Sequence, residues 1–70
     1  MKRIYTLNDL KPGFCYTMKD VDYNVVIANP PFLIKNHFIV EVYFSDMTTS
    51  LEDVGELLRY INNSESVIIL

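Results

Sequence analysis

The sequence predicts a small α+β domain in which one amphipathic helix packs on one face of a small mixed sheet of four to five strands. Two patterns carry this expectation. Between Phe38 and Ser45 the residues alternate, with Phe38, Val40, Val42 and Phe44 on one side and Ile39, Glu41, Tyr43 and Ser45 on the other. That is the two-residue period of a strand with one buried face. Farther on, Leu51, Val54, Leu57, Leu58 and Ile61 recur at three- and four-residue spacings, the mark of a helix with one apolar stripe. A chain of 70 residues makes a single domain, residues 1–70, because chains divide at roughly 100–200 residues per domain. Half the residues are apolar and 21% are charged, a globular rather than a disordered balance.

Taken in order, residues 3–7 (Arg-Ile-Tyr-Thr-Leu) read as a short strand rich in β-branched and aromatic types. Pro12 and Gly13 then supply the fixed φ and the positive φ of a type II turn. Phe14–Met18 reads as a second strand, Lys19–Asp22 as a turn and Tyr23–Ala28 as a third strand. Pro30 and Pro31 must interrupt it, since neither can donate to a ladder. Phe32-Leu33-Ile34 can re-enter the sheet, and Lys35-Asn36-His37 turns into the strand 38–45. Thr49 with Glu52 three residues on forms a capping-box pattern, which places the helix at about 50–62. Asn62-Asn63-Ser64 ends it, and Ser66–Leu70 reads as a last strand, apolar on both faces and so interior to the sheet. A helix between strands 38–45 and 66–70 implies a right-handed crossover joining a parallel pair.

A single helix covers one sheet face only. The other would carry Ile39, Tyr43 and one side of the last strand, so the Pro-Pro segment and loops, or a second chain, should fold over it. A second chain is the favoured occupant, because below about 70–80 residues a core alone supplies only a few kcal/mol.

Charge and motifs narrow the chemistry. The net charge is −3, with five bases and three acids in residues 1–35 against one base and six acids in residues 36–70. The acidic half repels phosphate. No apolar run exceeds four residues, against the roughly 20 that span a bilayer. The start, Met1-Lys2-Arg3-Ile4, lacks the apolar core expected of a secretion signal. The one cysteine, Cys15, has no partner for an internal disulfide, which points to a reducing compartment, the cytoplasm. With His37 the only histidine, a His/Cys zinc site within one chain is excluded, and no cofactor or metal is expected. A Cys15–His37 nucleophile pair is conceivable on residue types, but Cys15 lies between Phe14 and Tyr16, a setting for a buried, inert thiol.

One segment, Val25-Val26-Ile27-Ala28-Asn29-Pro30-Pro31-Phe32, resembles the catalytic motif of S-adenosylmethionine-dependent amino methyltransferases, in which an apolar strand runs into Asn-Pro-Pro-aromatic. The resemblance implies Asn29 as amide acceptor for the target nitrogen, Pro30 as carbonyl acceptor and Phe32 as stacking ring. It covers eight residues. The chain has no Gly-rich turn after an early strand, Gly13 and Gly55 being its only glycines, and is too short for the several βα units such a fold needs. A strand ended by Asn-Pro-Pro accounts for the same residues.

The expected function is therefore non-enzymatic: a protein-interaction or regulatory module, such as a small phage-type inhibitor or accessory protein, binding a protein partner or its own copies. The expected contact residues are Glu52, Asp53, Glu56, Arg59 and Tyr60 on the outer side of the helix, with Ile39 and Tyr43 on the uncovered sheet face. Acids around a tyrosine suit a basic protein patch. Gly55, read as mid-helix, marks a close approach or costs about 1 kcal/mol. The alternative is a single-stranded nucleic-acid binder that uses Tyr5, Phe14, Tyr16 and Tyr23 with Lys2, Arg3, Lys11 and Lys19. Whether Tyr16 and Tyr23 are buried or displayed separates the two.

Overall fold

The computed structural model describes residues 3–20 and 24–70. Lys2, Tyr23, the end of the expected 19–22 turn and the start of the expected 23–28 strand lie outside the described residues. The fold is α+β: among the described residues six strands form one sheet with a single helix packed against it. The strands are β1 (Cys15–Met18), β2 (Asn24–Ile27), β3 (Phe32–Ile34), β4 (His37–Phe44), β5 (Thr49–Asp53) and β6 (Val67–Ile69), with helix α1 (Val54–Asn63) between β5 and β6.

All strand pairs are antiparallel, so the sheet is not mixed. The expected parallel pairing of 38–45 with 66–70 does not form, because both edges of β4 are taken. On one side β5 returns from it as a hairpin. On the other lie β2 and β3 end to end, since Ile27 is opposite Val42 and Phe32 opposite Ile39. Asn29, Pro30 and Pro31 bulge out opposite Val40, after Ala28 N–H bonds the Glu41 carbonyl at 2.9 Å. The last strand instead pairs with β1. It is an edge strand and not an interior one, and α1 carries the chain from one edge of the sheet to the other.

Local chemistry explains the other departures. Residues 49–53 are strand, so the Thr49–Glu52 capping box is absent. The cap is Asp53, whose carboxylate accepts the Glu56 N–H at 3.0 Å. Residues 3–6 form no strand, and a 3-10 helix follows at Leu7–Asp9. This leading segment is tied down by Asn62, whose side-chain amide accepts from the Tyr5 N–H at 2.8 Å and donates to the Tyr5 carbonyl at 2.9 Å. The Pro12-Gly13 turn forms as expected, with Gly13 at φ 96° and Phe14 N–H bonding the Lys11 carbonyl at 2.9 Å.

The register assigns every strand residue to a face. Tyr16, Val25, Ile27, Val40 and Val42 point toward α1 and meet Val54, Leu57 and Ile61, with Leu10 completing a core of nine buried side chains among the described residues. The molecule is a two-layer slab, 34 × 32 × 16 Å.

Candidate interaction surface

The second sheet face has no covering layer among the described residues. Alternation along the paired strands puts Phe32 and Ile34 of β3, Tyr43 of β4, Leu51 of β5 and Ile68 of β6 on this side, with Leu70 just beyond. These six side chains are between 38% and 64% exposed. Between them lie Cys15, Val26, Ala28 and Ile39, all half-buried. Isolated exposed apolar residues are ordinary, whereas a connected set on one face is not. Polar residues share this side: Glu41, which accepts a hydrogen bond from the Asn29 side-chain amide, and Thr17, Asn24, Thr49 and Asp53. At one end His37 Nδ1 stands 3.6 Å from Asp53 Oδ1.

The expected contact residues divide between several places. Ile39 and Tyr43 lie on the uncovered face as expected, Tyr43 well exposed and Ile39 half-buried. Glu52 lies on β5 opposite Val40, on the helix side of the sheet, and accepts from the Ser50 hydroxyl at 2.9 Å. Asp53 is the helix cap. Glu56 occupies the first helical turn, where a carboxylate complements the helix dipole. Only Glu56, Arg59 and Tyr60 form an exposed stripe on α1, so the acidic cluster is not one surface. Gly55 is the second helical residue and not mid-helix, and a Cβ there would stand 3.2 Å from Asp53 Oδ2.

The remaining candidates have structural positions. Asn29 sits in the bulge with its Nδ2 engaged by Glu41, and Phe32 lies on the exposed face. The parallel βα framework implied by the methyltransferase resemblance is not this fold. Pro30 and Pro31, with Leu7, Leu10, Pro12 and Phe38, line a largely apolar hollow of about 360 Å³ whose wall also includes Asn8 and Lys11. Of the aromatic set, Tyr16 is buried in the core, and Tyr5 packs edge-to-face on Phe14 at 5.7 Å beneath the Arg3 guanidinium. Of these three rings Tyr16 lies in the core, and Tyr5 and Phe14 are half-buried against it. Among the described residues no cluster of His, Cys, Asp and Glu could hold a metal ion, and no helix is long and apolar enough to cross a membrane.

Reasoning from sequence missed Phe32, Ile34 and Leu51 as members of this surface. The hairpin β4–β5 and the β2–β3 continuation, which bring them together, are tertiary facts. Comparison with family models, with curated proteins and with solved structures finds no match to this chain.

Proposed function

We propose that this chain is a non-enzymatic protein-interaction module of the regulatory, inhibitor or accessory kind, working in the cytoplasm. It binds protein through the uncovered sheet face. The observation that supports the reading is the connected set of six large apolar side chains on the side of the slab opposite α1. Large exposed apolar patches mark interaction sites, and the cores of such sites are depleted of charge and rich in aromatics. The centre of this one offers Tyr43, Leu51 and Ile39, with Glu41 already engaged by Asn29. The exposed stripe Glu56–Arg59–Tyr60 belongs to the other layer and supplies at most a charged rim.

The test is site-specific photo-crosslinking in cells. A photoreactive phenylalanine analogue is placed at Tyr43 or at Leu51, and at Tyr60 on the helix layer as control. Discrete protein adducts from positions 43 and 51, and none from 60, are expected. Adducts from position 60 alone, or none from any position, overturn the reading.

A further inference from the structure

Resting on the reading that this chain binds protein near Leu51, we infer that the outer edge of β5 takes up an extended basic segment of another protein as an added strand. Phe44 N–H bonds the Thr48 carbonyl at 2.9 Å, and Val42 and Val40 stand opposite Ser50 and Glu52. Thr48, Ser50 and Glu52 thus turn their peptide groups to β4, and antiparallel alternation sends those of Thr49, Leu51 and Asp53 outward. The Asp53 carbonyl belongs to the start of α1, as that of a helix cap does. Three donors and two acceptors are left on one edge. Among the described residues no strand pairs with that side of β5, and Thr49 and Leu51 are exposed.

The other edges are short or guarded, as natural sheet edges usually are. Strand β3 turns only Leu33 outward and is flanked by Pro30, Pro31 and Lys35. In β6 the Ser66 carbonyl and the Leu70 N–H bond toward β1, which leaves Val67 and Ile69. Strand β5 has the longest open edge, without proline or lysine.

Charge selects the occupant. Glu52 and Asp53 sit together at one end of β5, on opposite faces of the sheet, and Glu41 stands opposite Leu51. Asn29 holds Glu41, and His37 Nδ1 lies 3.6 Å from Asp53 Oδ1. Among the described residues no lysine or arginine pairs with any of the three acids. An acidic strand laid along this edge is repelled, and a basic one is steered to it. Antiparallel pairing, the rule throughout this sheet, sets the order of the added segment. Two bases come first, opposite Asp53 and Glu52, and an apolar residue follows opposite Leu51. The chain's own Lys2-Arg3-Ile4 has this order, but Arg3 pairs with Asp9 and the Tyr5 backbone is held by Asn62. Another protein is therefore the source of the strand.

The test is an NMR titration of the isotope-labelled full chain with a capped Lys-Arg-Val-Thr-Val peptide, up to about 5 mM. Shifts at the amides of Thr49, Leu51 and Asp53 are expected. The same peptide with two glutamates for its bases should bind at least about tenfold more weakly. Methylating the backbone nitrogen of the valine opposite Leu51 should abolish the shifts, because main-chain bonds carry this kind of pairing. Glu52→Gln with Asp53→Asn keeps a capping side chain and should weaken the basic peptide by about tenfold. A basic peptide that does not bind, that binds regardless of methylation, or that shifts α1 instead of β5 overturns the inference. So do edge shifts that grow with protein concentration alone, which give the edge to a second copy. If the peptide fails while positions 43 and 51 crosslink to another protein, the added strand fails and the interaction reading stands. No edge shifts, with crosslinks from position 60 alone, remove both.

Discussion

Met47 has a φ of 74° and is 90% exposed at the tip of the β4–β5 hairpin. Phe44 N–H bonds the Thr48 carbonyl at 2.9 Å, and Met47 N–H bonds the Phe44 carbonyl at 3.0 Å. This is the three-residue loop in which glycine normally takes the left-handed position. The left-handed conformation costs a non-glycine residue about 1–2 kcal/mol, and glycine's extra freedom in the unfolded chain costs about 0.4–1 kcal/mol. Met47→Gly should therefore stabilise the protein by about 0.5 kcal/mol in urea unfolding, and a loss would mean that the side chain makes a contact worth keeping. Asp53 is the opposite case, since its carboxylate holds the Glu56 N–H. Asp53→Ala should cost about 1 kcal/mol. Gly55→Ala gains about 1 kcal/mol of helix propensity, but its Cβ presses on that same carboxylate at 3.2 Å. The two effects oppose each other, and a midpoint close to wild type is expected.

At the scale of elements, what could be read depended on whether the deciding interaction was local. The strand at 38–45 and the Pro12-Gly13 turn were legible because alternation and φ preferences lie in neighbouring residues. The helix start was not. Leu51 and Val54 fit a helical stripe as well as they fit strand β5 followed by a first turn, and a methionine in a glycine's position concealed the hairpin. Thr48-Thr49 was the available hint, since threonine favours strands. The leading segment was misread for a related reason: its partner is Asn62, 57 residues away. Asn62→Ala removes both bonds to the Tyr5 backbone and should cost about 1–3 kcal/mol, with amide exchange rising at residues 5–10 before the sheet opens. Exchange rising uniformly would show that the clasp is not a separate unit. The same segment carries an acid-sensitive contact. Asp9 accepts the Thr6 N–H and lies beside the Arg3 guanidinium, and these hold its carboxyl below the usual aspartate value, the Thr6 bond first. A depressed folded-state value contributes stability that is complete above the ordinary aspartate range and is lost as pH falls through the lowered one. Asp9→Asn should therefore flatten the acid limb of the stability–pH curve while changing its slope at neutral pH little.

At the scale of the molecule, the sheet's bare side was legible in outline, because one helix cannot cover two faces and the alternation placed Ile39 and Tyr43 away from it. Its full membership was not, since Phe32, Ile34 and Leu51 join it only through strand order and register. Self-association through the same bare side would have a thermodynamic consequence. If the face is buried between two copies, folding is linked to association, and concentration acts as a ligand on the native state. A tenfold rise in protein concentration then adds about 1.4 kcal/mol to the dimer's stability. For two such chains that is about 5 °C in Tm per decade, given roughly 2 cal/mol/K of unfolding entropy per residue. Thermal scans over two decades would then show a Tm that climbs by about twice this amount, and Tyr43→Glu with Leu51→Glu would give a lower Tm that no longer depends on concentration. A wild-type Tm that stays constant would mean the slab is stable with the face in water, and that α1, Leu10 and the Asn62 clasp suffice to hold one sheet side together.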